Sequence, residues 1–531
     1  MAIRINNLVI GIDENLEKLK GKAAKRLGIS KGDIKKFRIL KRSIDARRKN
    51  SIRFNYTVEV LSPAEEKLKL ESTDNDVKIQ ENTTKEKIIP GKEKMNSRPI
   101  IVGMGPAGMF AGLVLAKNGY RPLVIERGEK IEDRTKTVEQ FWDTGKLNLE
   151  SNVQFGEGGA GTFSDGKLTT RIKDKRCNFV LDTFLKYGAP EEIAYDGKPH
   201  IGTDNLKIVV KNIRNRIVEL GGKILFNSKL QDLIIENREL KSLIVNGDEI
   251  PCSNLILAIG HSSRDTYEML FKRKVFMEPK AFAVGVRVEH LQHMIDVRQY
   301  GKFAGHPKLG HADYRLTYRD RNGRGVYSFC MCPGGKVVAA ASEEGELVTN
   351  GMSYYSRNLD NANSAVVVTV GGDDFQGNSP LKGMEFQRHY EKLAYKLGGG
   401  GYTAPVQLIR DFLKEEVSTK LGKVKPTYRP GYEFRDLKVC LPPEVVGGLQ
   451  EGFTNFEKKI KGYAKGDGII TGIETRTSAP VRIPRRDNLE SISVRGLYPC
   501  GEGAGYAGGI ISAAVDGMKA AENIIEKYKP F

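Results

Sequence analysis

A mixed α/β protein is what this chain predicts: a Rossmann-like core, an inserted α+β domain and a small basic α/β domain at the amino end. Three observations carry that expectation. Arg98 to Arg127 reads strand, glycine turn, helix, strand, acid; Gly496 to Ile525 reads strand, glycine turn, helix; residues 275–465 alternate β runs with Gly/Asn-rich turns and hold no second G-x-G-x-x-G. At 531 residues the chain exceeds what one core usually serves. The expected order is a basic domain (1–62), a linker (63–96), a dinucleotide-binding domain in two parts (97–274 and 466–531) and the insert between them (275–465).

In the amino-terminal domain Ile3, Ile5, Leu8 and Ile10 alternate as a first strand, and Leu16 to Leu27 forms an amphipathic helix stopped by Gly28. Phe37 to Ile44 and Ile52 to Val60 are two further strands around the polar turn Asp45 to Asn50. The net charge of +19 concentrates here, with about fifteen Lys/Arg against about three acids between Leu16 and Arg53. A solvated lysine-rich surface accounts for this; so would a patch for nucleic acid, an acidic protein or anionic lipid. Residues 63–96 shift to Glu, Lys, Thr and Asn, the composition of a linker.

Ile100-Ile101-Val102 then runs into Gly103-Met104-Gly105-Pro106-Ala107-Gly108. Gly103 permits the tight turn, Gly105 lets backbone approach a pyrophosphate, and Gly108 lets the helix lie close to the sheet. The helix N-terminus offers unpaired N–H groups to phosphates. Leu123-Val124-Ile125 is the next strand, and Glu126, followed by Arg127, stands where a carboxylate accepts from ribose hydroxyls and repels a 2′-phosphate.

A second glycine-rich stretch, Asn152 to Lys167, places Gly158, Gly159, Ala160, Gly161, Thr162 and Ser164 between Phe155 and Phe163, a composition suited to wrapping a ligand. A helical pattern at Asn205 to Leu220 precedes short β runs at Asp232 to Ile235, Ser242 to Val245 and Asn254 to Ile259. In the insert, β runs at Ala281 to Val288, Val326 to Phe329, Val337 to Ala341 and Ala365 to Val370 are joined by helical patterns at Phe386 to Leu397 and Val406 to Glu416. The chain closes on a strand, Gly501-Glu502, a turn through Gly508-Gly509-Ile510 and an alanine-rich helix.

Gly103 to Gly108, Glu126, Ala258-Ile259-Gly260 and Gly501-Glu502 together resemble the FAD-containing oxidoreductases of the glutathione-reductase-like fold. The strings GEGGAGTFSDGKL (Gly156 to Leu168), AIGHSSRD (Ala258 to Asp265), YSFCMCPGG (Tyr327 to Gly335) and GLYPCGEGAGYAGGI (Gly496 to Ile510) are similar to a family of FAD-dependent dehydrogenases with no assigned substrate. The resemblance implies a tightly held FAD, with Leu230 where adenine meets main chain, Ala258 and Gly260 beneath the cofactor, and Glu502 at a ribityl hydroxyl. Most of the broader fold has aspartate at that last position; the longer glutamate still reaches. The helix Ser512 to Ile525 would stabilise charge on a reduced flavin ring with its N-terminus.

Four residues are candidates for chemistry. Arg476 would neutralise an anionic substrate or reduced flavin, or serve in a structural ion pair. His261 would donate a proton near the cofactor, or only hydrogen-bond structurally. Cys330 and Cys332 alternate on a strand end and could be redox-active, although C-x-C is strained as a disulfide; small buried residues are the alternative. No metal site is expected, because no Cys/His cluster has zinc spacing. The absence of a nucleophile elbow, a Walker lysine or H-E-x-x-H argues against hydrolase and ATPase readings.

The expected function is FAD-dependent transfer of hydride or electrons to or from a small-molecule substrate, with NADH or NADPH as a transient reductant. Two alternatives remain: a flavin-dependent RNA-modifying enzyme gripping tRNA through residues 16–53, and a flavoprotein that docks an acidic electron carrier such as flavodoxin or ferredoxin. No apolar run approaches the ~20 residues of a membrane span, and MAIRINNLVIGIDENLEK lacks a signal-peptide layout, so the expected location is the cytoplasm.

Overall fold

Ile3, Ile5, Leu8 and Ile10 are all buried, and their alternation sets the strand Ala2–Gly11 inside a four-stranded antiparallel sheet. The order across it is Lys36–Asp45, Arg53–Leu61, Ala2–Gly11, Val77–Gln80. The structure, a computed structural model, describes residues 2–62, 74–80 and 88–530. The helix Glu17–Leu27 buries Leu19, Ala23, Ala24 and Leu27, and Gly28 caps it at φ 65°, where glycine carries no Cβ penalty. Lys18, Lys22, Lys25, Lys36, Arg38 and Lys41 are exposed.

This first unit gathers in residues 190–200 and 293–312, segments the sequence places in the later domains. Arg42 pairs with Asp196 at 2.9 Å and lies over the Tyr195 ring at 5.4 Å. Of the expected linker, residues 63–73 and 81–87 lie outside the described residues. Val77–Gln80 within it is a strand, and the Asp74-Asn75-Asp76 approach to it is held by Arg26, which pairs with Asp74 at 2.8 Å and Asp76 at 2.9 Å. Only two apolar residues, Val77 and Ile79, mark that strand, too few to stand out in a polar stretch.

The second unit is built on a five-stranded parallel sheet. Its order is Leu497–Pro499, Leu255–Leu257, Ile100–Val102, Leu123–Ile125, Lys223–Leu225. Such strands are covered on both faces, which is why Ile100–Val102 and Leu123–Ile125 are continuous apolar runs. The helices Pro106–Lys117 and Ile510–Lys527 pack so closely that a Cβ on Gly517 would sit 2.0 Å from the Ala107 carbonyl oxygen. A three-stranded antiparallel sheet, Leu230–Glu236, Glu239–Val245 and Asp248–Pro251, follows the helix Gly202–Glu219 and the strand Lys223–Leu225.

The insert forms a seven-stranded sheet ordered Thr317–Arg319, Gly325–Cys332, Asn361–Val370, Phe282–Leu291, Ile469–Glu474, Ala404–Leu408, Tyr432–Phe434. Its fifth member lies beyond the expected boundary at 465. The helical pattern expected over Val406 to Glu416 is corrected: Ala404–Leu408 is a fully buried strand, and only Ile409–Lys414 is helical. A short apolar run buried on both sides has no period to separate strand from helix. Among the described residues no helix is long and apolar enough to cross a membrane.

Candidate functional site

The turn after Ile100–Val102 is shaped by close backbone packing. Gly103 has φ 98°, and a Cβ there would meet the Ala258 carbonyl oxygen at 2.3 Å. Gly105 caps the helix in an extended conformation with Pro106 in its first turn. Gly159 approaches from the second glycine loop: its Cβ would lie 3.0 Å from the Gly105 α-carbon. Two bare backbones thus face each other.

Glu126 fastens these pieces together. Its carboxylate accepts from the N–H groups of Met104 at 2.8 Å and of Gly128 and Gly156 at 3.0 Å each. Arg127 bonds Glu150 and Asp265 and lies 4.1 Å from the Phe155 ring centroid. Burial would raise the Asp265 carboxyl, but Arg127 and Lys229 hold it down to about 2.

The glycine loop is stapled by a residue the sequence did not single out. Arg134, fully buried on the helix Ile131–Thr144, donates to the carbonyls of Asn152, Val153, Gly156, Glu157 and Gly159. Burial lowers its guanidinium to about 10, still charged at neutral pH.

The motifs converge on one cleft. Gly103, Gly105, Pro106 and Ala107 line it from the first turn, with Glu126 and Arg127 from the strand beside it. Gly159, Ala160 and Gly161 enter from the glycine loop, Leu230 from the antiparallel sheet, and Ala258, Gly260 and His261 from the return strand. Gly501, Glu502, Gly508, Gly509 and Ile510 close the far end at the N-terminus of the last helix. Gln154, Phe155, Ser228, Lys229, Ser262 and Ser263, also in the lining, were not among the expected site residues.

Four expected ligand residues are not in the lining. Gly108 packs on the turn, where a Cβ would be 1.9 Å from the Gly103 carbonyl oxygen; Gly158 has φ 85° with Thr162 Oγ1 against it. Thr162 is buried and accepts at its carbonyl from Thr203 Oγ1, and Ser164 Oγ donates to the Gly161 carbonyl at 2.6 Å. They shape the loop.

The candidates for chemistry separate. His261 Nδ1 lies 3.5 Å from Glu502 Oε2, and its Nε2 is buried with no hydrogen-bond partner. Arg476 sits in an ion-pair network, bonding Glu391 at 2.9 Å and Ser262 Oγ at 3.1 Å. Arg264 occupies the centre of that network, with its guanidinium on Glu343, Glu346 and Glu391. These three carboxylates come close enough together to hold a metal ion, but the guanidinium already supplies their counter-charge. Cys330 and Cys332 lie outside the cleft lining, on the strand Gly325–Cys332.

Residues 281–477 match a family model described as FAD-dependent protein, C-terminal domain-like, and residues 2–61 match a domain of unknown function. An uncharacterized protein of Clostridium beijerinckii is 63% identical over 529 residues, covering 99% of each chain. Among solved structures, a geranylgeranyl bacteriochlorophyll reductase-like protein of Thermoplasma acidophilum is 14% identical, with 80% of this chain and 76% of that one covered at a TM-score of 0.34. Glycine oxidase from Geobacillus kaustophilus is 10% identical, with 81% and 95% covered and the same TM-score of 0.34.

Proposed function

We infer the function from one premise: this chain belongs to the family of FAD-dependent proteins it shares with the Clostridium beijerinckii protein, and FAD is its cofactor. We propose an oxidoreductase that moves hydride or electrons through a tightly held FAD to or from a small-molecule substrate. In this reading the parallel sheet, the antiparallel sheet and the last helix form a cofactor-binding domain of the glutathione-reductase type. The observation that carries it is the convergence of the two glycine loops, the return strand and the last helix on one cleft.

The residues present fit FAD. Gly105 and Gly159 leave a cradle that Cβ atoms would narrow, and the buried His261 Nε2 lacks a partner. Gly103 to Ala107 and the first turn of the helix would hold the pyrophosphate. Glu126, Arg127 and Leu230 would hold the adenosine end. Glu502 and His261 would face the ribityl chain or the ring, and Gly508 to Ile510 would bring a helix N-terminus to the ring. Phe155, Ile259 and Ala513 exclude water from the lining. Bound FAD supplies the two-electron chemistry itself.

Purification with the flavin spectrum read on the native and the heat-denatured protein tests this directly. A yellow protein that releases FAD is expected. A colourless preparation that takes up no added FAD would end the reading. Anaerobic reduction by NADH, NADPH and reduced ferredoxin in parallel then identifies the donor.

A further inference from the structure

We propose that Cys330 and Cys332 are a second redox centre, a dithiol that closes to a disulfide and stores two electrons beside FAD. This rests on the FAD reading for its electron partner.

The backbone is irregular where the two cysteines sit. The strand Gly325–Cys332 slips register against Asn361–Val370 between Phe329 and Cys332, and Cys330 within the slip has φ 45°. A non-glycine residue held there is strained, and such strain clusters at functional sites. Cys332 Sγ donates to the Cys330 carbonyl at 3.3 Å.

Cations surround the pair with too little opposing charge. Arg287 is fully buried, and its Nη2 donates to the Cys330 carbonyl at 2.7 Å and to Cys332 Sγ at 3.4 Å. Its Nη1 has no hydrogen-bond partner, the facing carboxylate being Glu474 at 3.5 Å. Burial pushes Glu474 up to about 7. Lys167 Nζ is likewise buried without an acceptor; Asp165, 3.7 Å away, already holds the Arg357 guanidinium through two bonds. Glu289, the other acid facing Arg287, is raised by burial and occupied by Thr427 and Asn361. Buried cations lacking full partners are costly, and one thiolate supplies what is missing. The neighbouring Cys332 thiol, with Lys167 and Arg287, draws the Cys330 thiol down, while its neighbour and burial push Cys332 up.

Two segments join this cluster to the cleft. The glycine loop that lines the cleft at Gly159 to Gly161 continues to Lys167, and the chain that presents Glu474 to Arg287 presents Arg476 to Ser262 in the cleft wall. Thiolate and thiol would close the S–S bond and release two electrons and the Cys332 proton, which oxidised FAD, when bound, would take up; the reverse would reopen the disulfide. Because Lys167 and Arg287 stabilise the thiolate form, the disulfide is an oxidising one.

Two measurements on the full-length holoprotein test this. Under denaturing conditions the air-oxidised protein should show two thiols fewer than the six cysteines in the chain, all recovered on reduction. Anaerobic dithionite titration should consume about four electrons per FAD rather than about two. Cys330→Ser and Cys332→Ser should each bind FAD, lose no thiols on oxidation and return to about two electrons. Lys167→Met should keep the couple and make its disulfide harder to reduce. Six free thiols in the oxidised wild type, or a flavin-only electron count unchanged in both serine variants, would overturn the proposal. The thiol count needs no flavin, so loss of the FAD reading alone would show up separately.

Discussion

Arg134 Nη1 donates to the carbonyl oxygen of Gly159 at 3.0 Å, so a buried cation on one helix fixes the glycine that faces Gly105 across the cleft. The guanidinium fills the space against Gly156, where any Cβ would lie 2.4 Å from its Cδ. Arg134→Met keeps most of the stem and removes the donors, leaving five carbonyls unpaired. The expected loss is about 3–5 kcal/mol of stability, with faster hydrogen exchange across residues 152–161 and a lower FAD content. Thermal melts, exchange mass spectrometry and the flavin absorbance read the three effects.

Gly103 and Gly105 belong to one motif and should fail differently. Gly103→Ala forces a side chain into φ 98° and onto the Ala258 carbonyl, so it should lower the melting temperature with or without FAD. Gly105 already has φ −74°, and its Cβ would meet nothing nearer than the Gly159 α-carbon at 3.7 Å. Gly105→Ala should therefore fold normally and bind FAD about tenfold or more weakly, about 1.4 kcal/mol, because the methyl enters the phosphate cradle. Equal FAD affinity in wild type and Gly105→Ala would place the pyrophosphate elsewhere.

What the sequence discloses here follows the range of the interactions. Ile100 to Glu126 is legible because turn, helix start and acid are set within one βαβ unit. Arg134 is not, because its charge serves carbonyls 18 to 25 residues away, and an arginine in an amphipathic helix ordinarily faces water. Arg476 has the same ambiguity: only the fold shows Glu391, 85 residues distant, beside it. The slip at Cys330 leaves no trace in a strand pattern that reads as simple alternation. The strand at Ala404–Leu408 is hidden for the opposite reason, since uniform burial erases the period.

Glu391 joins two buried arginines, bonding Arg264 at 2.8 Å and Arg476 at 2.9 Å, with Thr475 Oγ1 as a further donor. Glu391→Ala would take the carboxylate from Arg476 and leave Arg264 to Glu343 and Glu346. The expected cost is about 3–5 kcal/mol, read as a lower urea midpoint. Glu391→Gln keeps the shape and one acceptor oxygen, and should cost less. If Arg476 instead acts at the ring, Arg476→Met would change the flavin spectrum with no loss of stability; the network predicts the reverse order of effects.

His290 makes the inserted sheet sensitive to acid. Its Nε2–H donates to the Tyr463 carbonyl at 2.7 Å, its Nδ1 has no partner, and burial lowers its pKa from 6.5 to about 4. The neutral ring is therefore favoured in the folded state. Its contribution is fully present above pH 6.5 and is lost as the pH falls toward 4, because the unfolded chain takes up the proton first. The full span corresponds to a few kcal/mol, on the order of 3. His290→Gln keeps an N–H donor for Tyr463 but cannot titrate. Denaturant midpoints measured from pH 7 to pH 4 should fall less steeply in His290→Gln than in the wild type. Parallel slopes would mean that another group carries the acid sensitivity.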